Sequence, residues 1–488
     1  MMNTLSHLYR VSAKRTIAFA MLSNLLLFSG CTVGPKYVQP SVPPPPPAFK
    51  ELPPNWAQAN PQDQLPKGKW WEIYHDEKLN ALEETISVSN QNLKVAYKQY
   101  MATRDVVQQA RSALFPIVGV QAAGGRDKLS TNRPTATALT KNQYSDIVLQ
   151  GDLNYEIDLW GQVRRTVESA RENAQASAGD LENINLSLHA ELAMDYFSLR
   201  GLDLQRQLLD ATVIDFEKAL ELTQVRFHGG VASNVDVSLA QTQLENARSQ
   251  SINTGVQRAQ LEHAIAVLTG QTASTFSIPY IPLAALPPVI PTGMPSQLLE
   301  RRPDIAAAER RVASANAQIG IAIAAYYPQI SLSGAGGLES DAIGTLLNGS
   351  SVLWSVAGSA VQTVVDGGRR RAVTQQARNN YDATVASYRE NVLEAFQQVE
   401  DSLAALRIME QQSVVQDAAV RSARTSVDLS TTRYKGGATT YLEVLTAQST
   451  ALSNERTAAD LVTQRMLASV QLIKALGGGW DKAQLPKL

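Results

Sequence analysis

The sequence predicts an α+β membrane protein with an internal two-fold repeat, each unit holding a β-hairpin and a pair of long helices. Three observations carry that reading. The first is duplication. Phe115-Pro116-Ile117 runs into an alternating, glycine-rich stretch, and Tyr327-Pro328-Gln329-Ile330 does the same 212 positions later (327 − 115). Ala170-Arg171 recurs as Ala377-Arg378, and Val225-Arg226-Phe227-His228-Gly229-Gly230 recurs as Thr432-Arg433-Tyr434-Lys435-Gly436-Gly437, both offset by 207 (377 − 170 and 432 − 225). A constant offset over such a length marks a duplicated structural unit. The second observation is a set of four short segments of period-two alternation. The third is a pair of unbroken helical seams, one per unit.

The first thirty residues read as a signal peptide. Arg10, Lys14 and Arg15 form a basic region, and Thr16 to Phe28 form an apolar stretch too short to span a bilayer. Ser29-Gly30-Cys31 follows, and Cys31 is the single cysteine, so no internal disulfide can form. A cysteine at the cleavage point resembles a bacterial lipoprotein acceptor. The resemblance implies acylation of Cys31, each buried methylene contributing roughly 0.8 kcal/mol of anchoring, and Thr32 in place of an aspartate implies outer-membrane sorting. Residues 31–69 form a proline-rich tether (Pro43 to Pro47, Pro53, Pro54, Pro61, Pro66) that favours polyproline II and cannot build a core.

Repeat 1 is expected over 70–269, helical from Trp70 to Leu114, with a hairpin at about 116–156 and then a long helix pair. In Ile147 to Tyr155 one face carries Ile147, Leu149, Gly151, Leu153 and Tyr155 and the other Gln150, Asp152 and Asn154. Segments of about 9–13 residues with one apolar face suit transmembrane barrel strands, with Phe115, Tyr155, Tyr326 and Tyr327 at the membrane boundaries. Four strands cannot close a barrel, since closed examples start at about eight, and an open edge in lipid is not viable. Either the strands are soluble or several chains pool them. From Gln162 to His228 there is no proline, and Leu181, Ile184, Leu188, Leu192, Leu199, Leu202, Leu209, Val213, Phe216 and Leu220 trace a coiled-coil seam. At about 1.5 Å per residue that helix reaches on the order of 100 Å. Gly229-Gly230 stop it, and Asn234 to Leu268 descend. A proline-rich linker spans 270–295. Repeat 2 spans 296–476, with a hairpin at about 328–366, a long helix from Arg369 to Lys435, the stop Gly436-Gly437 and a descent from Thr440 to Leu476; a tail occupies 477–488.

Composition excludes several function classes. With 44 basic and 45 acidic residues there is no electrostatic case for nucleic acid. The histidines (His7, His75, His189, His228, His263) form no pair at metal-ligand spacing, and one cysteine excludes the usual zinc sets. Gly334-Ala335-Gly336-Gly337 sits in a strand pattern with no helix start after it, so a nucleotide loop is not expected, and no Gly-x-Ser-x-Gly nucleophile motif occurs. No enzyme and no cofactor are expected, apart from the covalent lipid on Cys31.

These pieces resemble an outer-membrane factor of the TolC/OprM family, specifically the NodT-like lipoprotein branch serving resistance-nodulation-division efflux pumps. The matching residues are Cys31-Thr32-Val33-Gly34-Pro35-Lys36-Tyr37, where relatives more often carry an acid at the Lys36 position, Trp70-Trp71 with Asp76, Leu79 and Leu82, and above all Leu299-Glu300-Arg301-Arg302-Pro303-Asp304-Ile305 with Ala308-Glu309, Ile319-Gly320 and Tyr327-Pro328. Asp158-Leu159-Trp160-Gly161 and Asp366-Gly367-Gly368-Arg369 fit the turns from strand to long helix. The resemblance implies a homotrimer whose pooled strands make a 12-stranded outer-membrane β-barrel, continued by a long periplasmic α-helical barrel. It implies passive conduction of drugs or other small molecules out of the periplasm, with a periplasmic membrane-fusion adaptor and an inner-membrane pump as partners. The adaptor is expected to dock at Gly229, Gly230, Gly436 and Gly437, at the closed tip. There Asp236 and Tyr434 match a latch, a phenol–carboxylate bond of about 1.5–3 kcal/mol if desolvated. Leu442 matches an apolar ring and Glu443 an acidic constriction that attracts cations, while Thr439 and Thr446 stand where relatives carry an arginine and a second acid. The same architecture serves type I protein secretion, which is the alternative duct; a poreless periplasmic coiled-coil lipoprotein is the alternative from another class.

Overall fold

The computed structural model describes residues 32–52, 68–134, 142–290, 292, 295 and 298–487. The expected signal peptide, Cys31 and the prolines between 53 and 67 lie outside the described residues. A short 3₁₀ helix, Trp70–Tyr74, leads into α1 (Glu77–Ser89), α2 (Gln91–Ser112), β1 (Ile117–Lys128), β2 (Gln143–Glu156), α3 (Gln162–His228) and α4 (Asn234–Leu268). After the helical turn Leu298–Arg301 come α5 (Pro303–Ala324), β3 (Gln329–Ser340), β4 (Val352–Val361), α6 (Arg369–Lys435) and α7 (Tyr441–Ala475). The duplication extends to element length: α2 and α5 have 22 residues each, α3 and α6 67, and α4 and α7 35.

Side-chain caps set several helix starts. Asp76 accepts the Lys78 and Leu79 N–H groups at 2.9 and 3.0 Å to open α1, and Asn90 accepts that of Leu93 to open α2. Pro303 opens α5, where a missing N–H costs nothing. The two long helices start differently, from left-handed glycines: Gly161 (φ 85°) before α3 and Gly368 (φ 90°) before α6. At each corner an aspartate caps the first turn, Asp158 accepting from Arg164 and Asp366 from Arg370, backbone and guanidinium alike.

Helix α5 packs between α3 and α6, and α3 also contacts α2, α4 and α7. The two glycines inside α3 mark close crossings. A Cβ on Gly179 would stand 2.9 Å from the Pro303 carbonyl, and one on Gly201 would collide with Thr463 of α7. The main core gathers Trp70, Trp71, Tyr74, Leu79, Leu192, Tyr196 and Phe197 with Met466 and Leu472. Residues 32–52 contain no helix or strand and are pinned to the helices by hydrogen bonds: Arg165 donates to the Val33 and Pro35 carbonyls, Gln39 to the Tyr388 hydroxyl, and Glu400 receives the Lys50 and Glu51 N–H groups.

The four strands form one antiparallel sheet in the order β1-β2-β3-β4. Its register sorts the two faces. Val118, Leu153, Gly334 and Val356 share one cross-strand row, and Val120, Gly151, Gly336 and Trp354 the row beside it. The opposite face carries Gly119, Asp152, Ala335 and Ser355 in one row and Ile117, Asn154, Ser333 and Ala357 in another. The sheet is therefore apolar on one side, while the other sets Asp152, Asn154, Ser333 and Ser355 among small residues and Ile117. β1 and β4 are edges, each with one paired neighbour among the described residues. The second hairpin is shorter than its alternation suggests, ending at Val361 rather than near 366. Beyond it the Gln362 side chain bonds the Tyr326 carbonyl, and Asp366-Gly367-Gly368 already form the corner into α6.

Candidate functional site at the helix turns

Both long helices end in the same hydrogen-bonded stop. In the first, Gly230 N–H bonds the Phe227 carbonyl and Val231 N–H that of Arg226; in the second, Gly437 bonds Tyr434 and Ala438 bonds Arg433. This is a Schellman motif, which needs a left-handed residue, supplied by Gly230 (φ 73°) and Gly437 (φ 76°). Gly229, Gly230, Gly436 and Gly437 are all exposed at these turns.

Past the second turn, α7 sorts its first residues by face. Tyr441 and Val444, three apart, are buried in a cluster with Phe216, Leu220, Leu244 and Tyr434. That leaves Leu442 and Glu443 on the outer side, Leu442 58% exposed. Glu443 is not a free charge: it accepts from Arg433 Nη1 at 2.9 Å and from the Thr439 hydroxyl. The apolar and acidic residues are thus presented side by side, with an arginine beside the acid.

The direct bond between Asp236 and Tyr434 is not made within the chain. Asp236 belongs to a capping box, its carboxylate accepting the Ser233 N–H at 3.1 Å while its own N–H donates to Ser233 Oγ at 3.2 Å. The Tyr434 hydroxyl is buried with no partner. Its ring packs edge-on against Tyr441, centroids 5.5 Å apart, and lies under the Arg226 guanidinium at 4.6 Å. From sequence the phenol and the carboxylate are expected at one level and within reach of each other, but the Asp236 carboxylate is taken by the Ser233 N–H. A residue three past a serine N-cap has a local backbone donor within reach. The carboxylate acts instead at a distance, adding with Tyr434 to the burial that pushes the Tyr441 phenol up to about 12.

Two arginines in the twin motifs escaped the sequence reading. Arg226 reaches from the first turn to the second, donating from Nη1 to the Lys435 carbonyl at 2.9 Å. Arg433 is its counterpart at the repeat offset. Their shared place in Val-Arg-Phe and Thr-Arg-Tyr was the available signal.

Comparison with known proteins is concordant across the chain. The family model described as outer membrane efflux protein matches residues 83–271 and 294–478. The solvent efflux pump outer membrane protein SrpC of Pseudomonas putida is 31% identical over 469 residues, 94% of this chain and 98% of that protein. Outer membrane protein OprJ of Pseudomonas aeruginosa is 30% identical over 94% of this chain and 95% of its own length. Among solved structures, the outer-membrane channel OprN superposes with a TM-score of 0.86 at 28% identity, covering 92% of this chain and 100% of that one. The Campylobacter jejuni CmeC outer membrane channel, 24% identical over 93% of this chain and 96% of its own, shares the fold with a TM-score of 0.85.

Proposed function

The chain belongs to the outer membrane efflux protein family, and we infer from this that it is the outer-membrane exit channel of an efflux pump. It conducts small molecules passively from the periplasm to the exterior and performs no chemistry on them. In the finer reading, three copies pool their sheets into a 12-stranded barrel, continued through the periplasm by α3, α4, α6 and α7.

The observation that carries the assembly is an asymmetry between equivalent surfaces. Repeat 1 packs on repeat 2 through β2 on β3 and through α3 on α5 and α7. The same contact in the other direction, β4 on β1 and α6 on α2 and α4, would be made by a second copy. Ala307 of α5 is fully buried, whereas Val95, its repeat counterpart on α2 (307 − 212), is 56% exposed. A head-to-tail contact of this kind closes a ring where its rotation allows and runs on as a filament where it does not, and only closure removes the open strand edges that lipid does not tolerate. The sheet's apolar face then meets lipid and its polar face lines the duct.

The position after Cys31 fits a lipid anchor. Val33 N–H bonds the Trp160 carbonyl at 3.0 Å, at the corner where β2 passes into α3. Trp160 stacks on Tyr327 at 4.8 Å, an aromatic pair of the kind that marks a membrane interface. An acyl chain on Cys31 would enter the bilayer there. At the opposite end, Leu442 and Glu443 form the constriction, and a periplasmic adaptor docks at the glycine turns to open it, joining the duct to an inner-membrane pump.

The test is the native mass of the detergent-extracted protein, read beside outer-membrane fractionation and heat-modifiable gel mobility. The reading expects a particle of three chains whose mobility shifts on boiling. A monomer that fractionates with soluble periplasmic protein would contradict it.

A further inference from the structure

Arg226 bridges the two turns of one chain, lying over the Tyr434 ring and donating to the Lys435 carbonyl. At the offset of 207 (433 − 226), Arg433 stands for Arg226, Phe227 for Tyr434 and His228 for Lys435. The counterpart contact is therefore Arg433 on Phe227 and His228, and within one chain it is not made. Arg433 turns instead to its own Glu443, and the two side chains are 58% and 42% exposed, an exposed pair that exchanges easily. Phe227 meanwhile is 41% exposed, whereas Tyr434 under its arginine is 3% exposed. One of two equivalent aromatic seats is filled and the other is open.

We propose that Arg433 is a clamp between copies: in the assembled ring it covers the neighbouring copy's Phe227 and donates to that copy's His228 carbonyl. The inference rests on the trimeric ring proposed above and adds a residue pair to its seal. Arg433 has two alternative acceptors, the neighbour when the tip is sealed and its own Glu443 when the seal is released. Arg226 has no such choice, because its counterpart acid, Asp236, is committed to the Ser233 capping box. The ring would hold by fixed clamps inside each chain alternating with exchangeable ones between chains. Opening would then begin at the boundaries between copies.

Single-channel conductance of the full-length mature protein tests this, using Phe227→Ala, Arg433→Ala, their double variant and Glu443→Gln. Either alanine variant should raise conductance about two-fold or more, and the double variant no further, because both remove one contact. Glu443→Gln keeps the side-chain bulk at the constriction, so its effect there is small, while it frees Arg433 for the neighbour and should lower conductance. A silent Phe227→Ala, with Glu443→Gln raising conductance as Arg433→Ala does, would make Arg433 only a local counter-ion and overturn the clamp. A second readout avoids function: Arg433→Cys with His228→Cys, bridged by a bis-methanethiosulfonate linker that replaces the arginine's reach, should give reducible species of two and three chain masses, absent from either single variant. A trimer that yields none would also overturn the clamp. A monomeric native mass would instead sink the assembly on which it rests.

Discussion

The turn after α3 and the turn after α6 share one backbone and carry different side chains. Both close with a Schellman motif on a double glycine. The first is capped by its own side chains: Ser233 and Asp236 close a capping box, and Asn234 and Val235 face solvent. The second is sealed by packing, with Tyr434 and Tyr441 buried edge to face, and its N-cap Thr440 makes no side-chain bond. Duplication therefore kept the turn and let its means of support diverge. Hydrogen bonds hold the first turn and apolar burial the second, so the two should respond to different substitutions.

Truncating the buried aromatic should separate the turns most. Tyr441→Ala should lower the local opening free energy at the second turn by about 3–5 kcal/mol, the range for large buried aromatics. Its counterpart Asn234→Ala, at an exposed position, should stay within about 0.5 kcal/mol. Hydrogen exchange of the turn amides measures both, and similar losses at the two sites would break the comparison. The shared backbone predicts the reverse for glycine. Gly230→Ala and Gly437→Ala should cost alike, roughly 1–2 kcal/mol each, since both hold a left-handed φ. Ser233→Ala should cost about 1 kcal/mol through the lost capping box, while Thr440→Ala should change little, in the same exchange measurement.

The smallest effect is one of pH. Burial, reinforced by Tyr434 and Asp236, raises the Tyr441 phenol from 10.0 to about 12. A group with a raised folded pKa stabilises fully below its unfolded value and loses that contribution as pH rises through the folded one. The second turn should therefore loosen between pH 10 and about 12. Tyr441→Phe should remove that alkaline loosening, and the first turn should show none of it in either protein.

Much of this architecture was legible because it is periodic. The 207-residue offset (432 − 225), the seam through Leu188, Leu192 and Leu199 and the alternation from Ile147 to Tyr155 each report a repeated physical constraint. The stops at Gly229-Gly230 and Gly436-Gly437 could be read for the same reason, since only glycine takes that φ freely. What sequence did not reveal was how polar groups choose among competing partners. Asp236 had a distant phenol and a near serine available, and the near one prevailed. Glu443 appears in the sequence as a lone acid, yet Arg433, ten positions earlier, folds back onto it across the turn. Such choices depend on side-chain reach around a turn, which no periodicity records.

The central claim is that these turns narrow a duct through the outer membrane. Planar-bilayer recording of the purified mature protein, with the double variant Leu442→Ala/Glu443→Ala beside it, tests that claim most directly. Small conductance steps that enlarge in the double variant are predicted. No conducting step from either protein, in preparations whose helical fold and trimeric mass are verified, would contradict it.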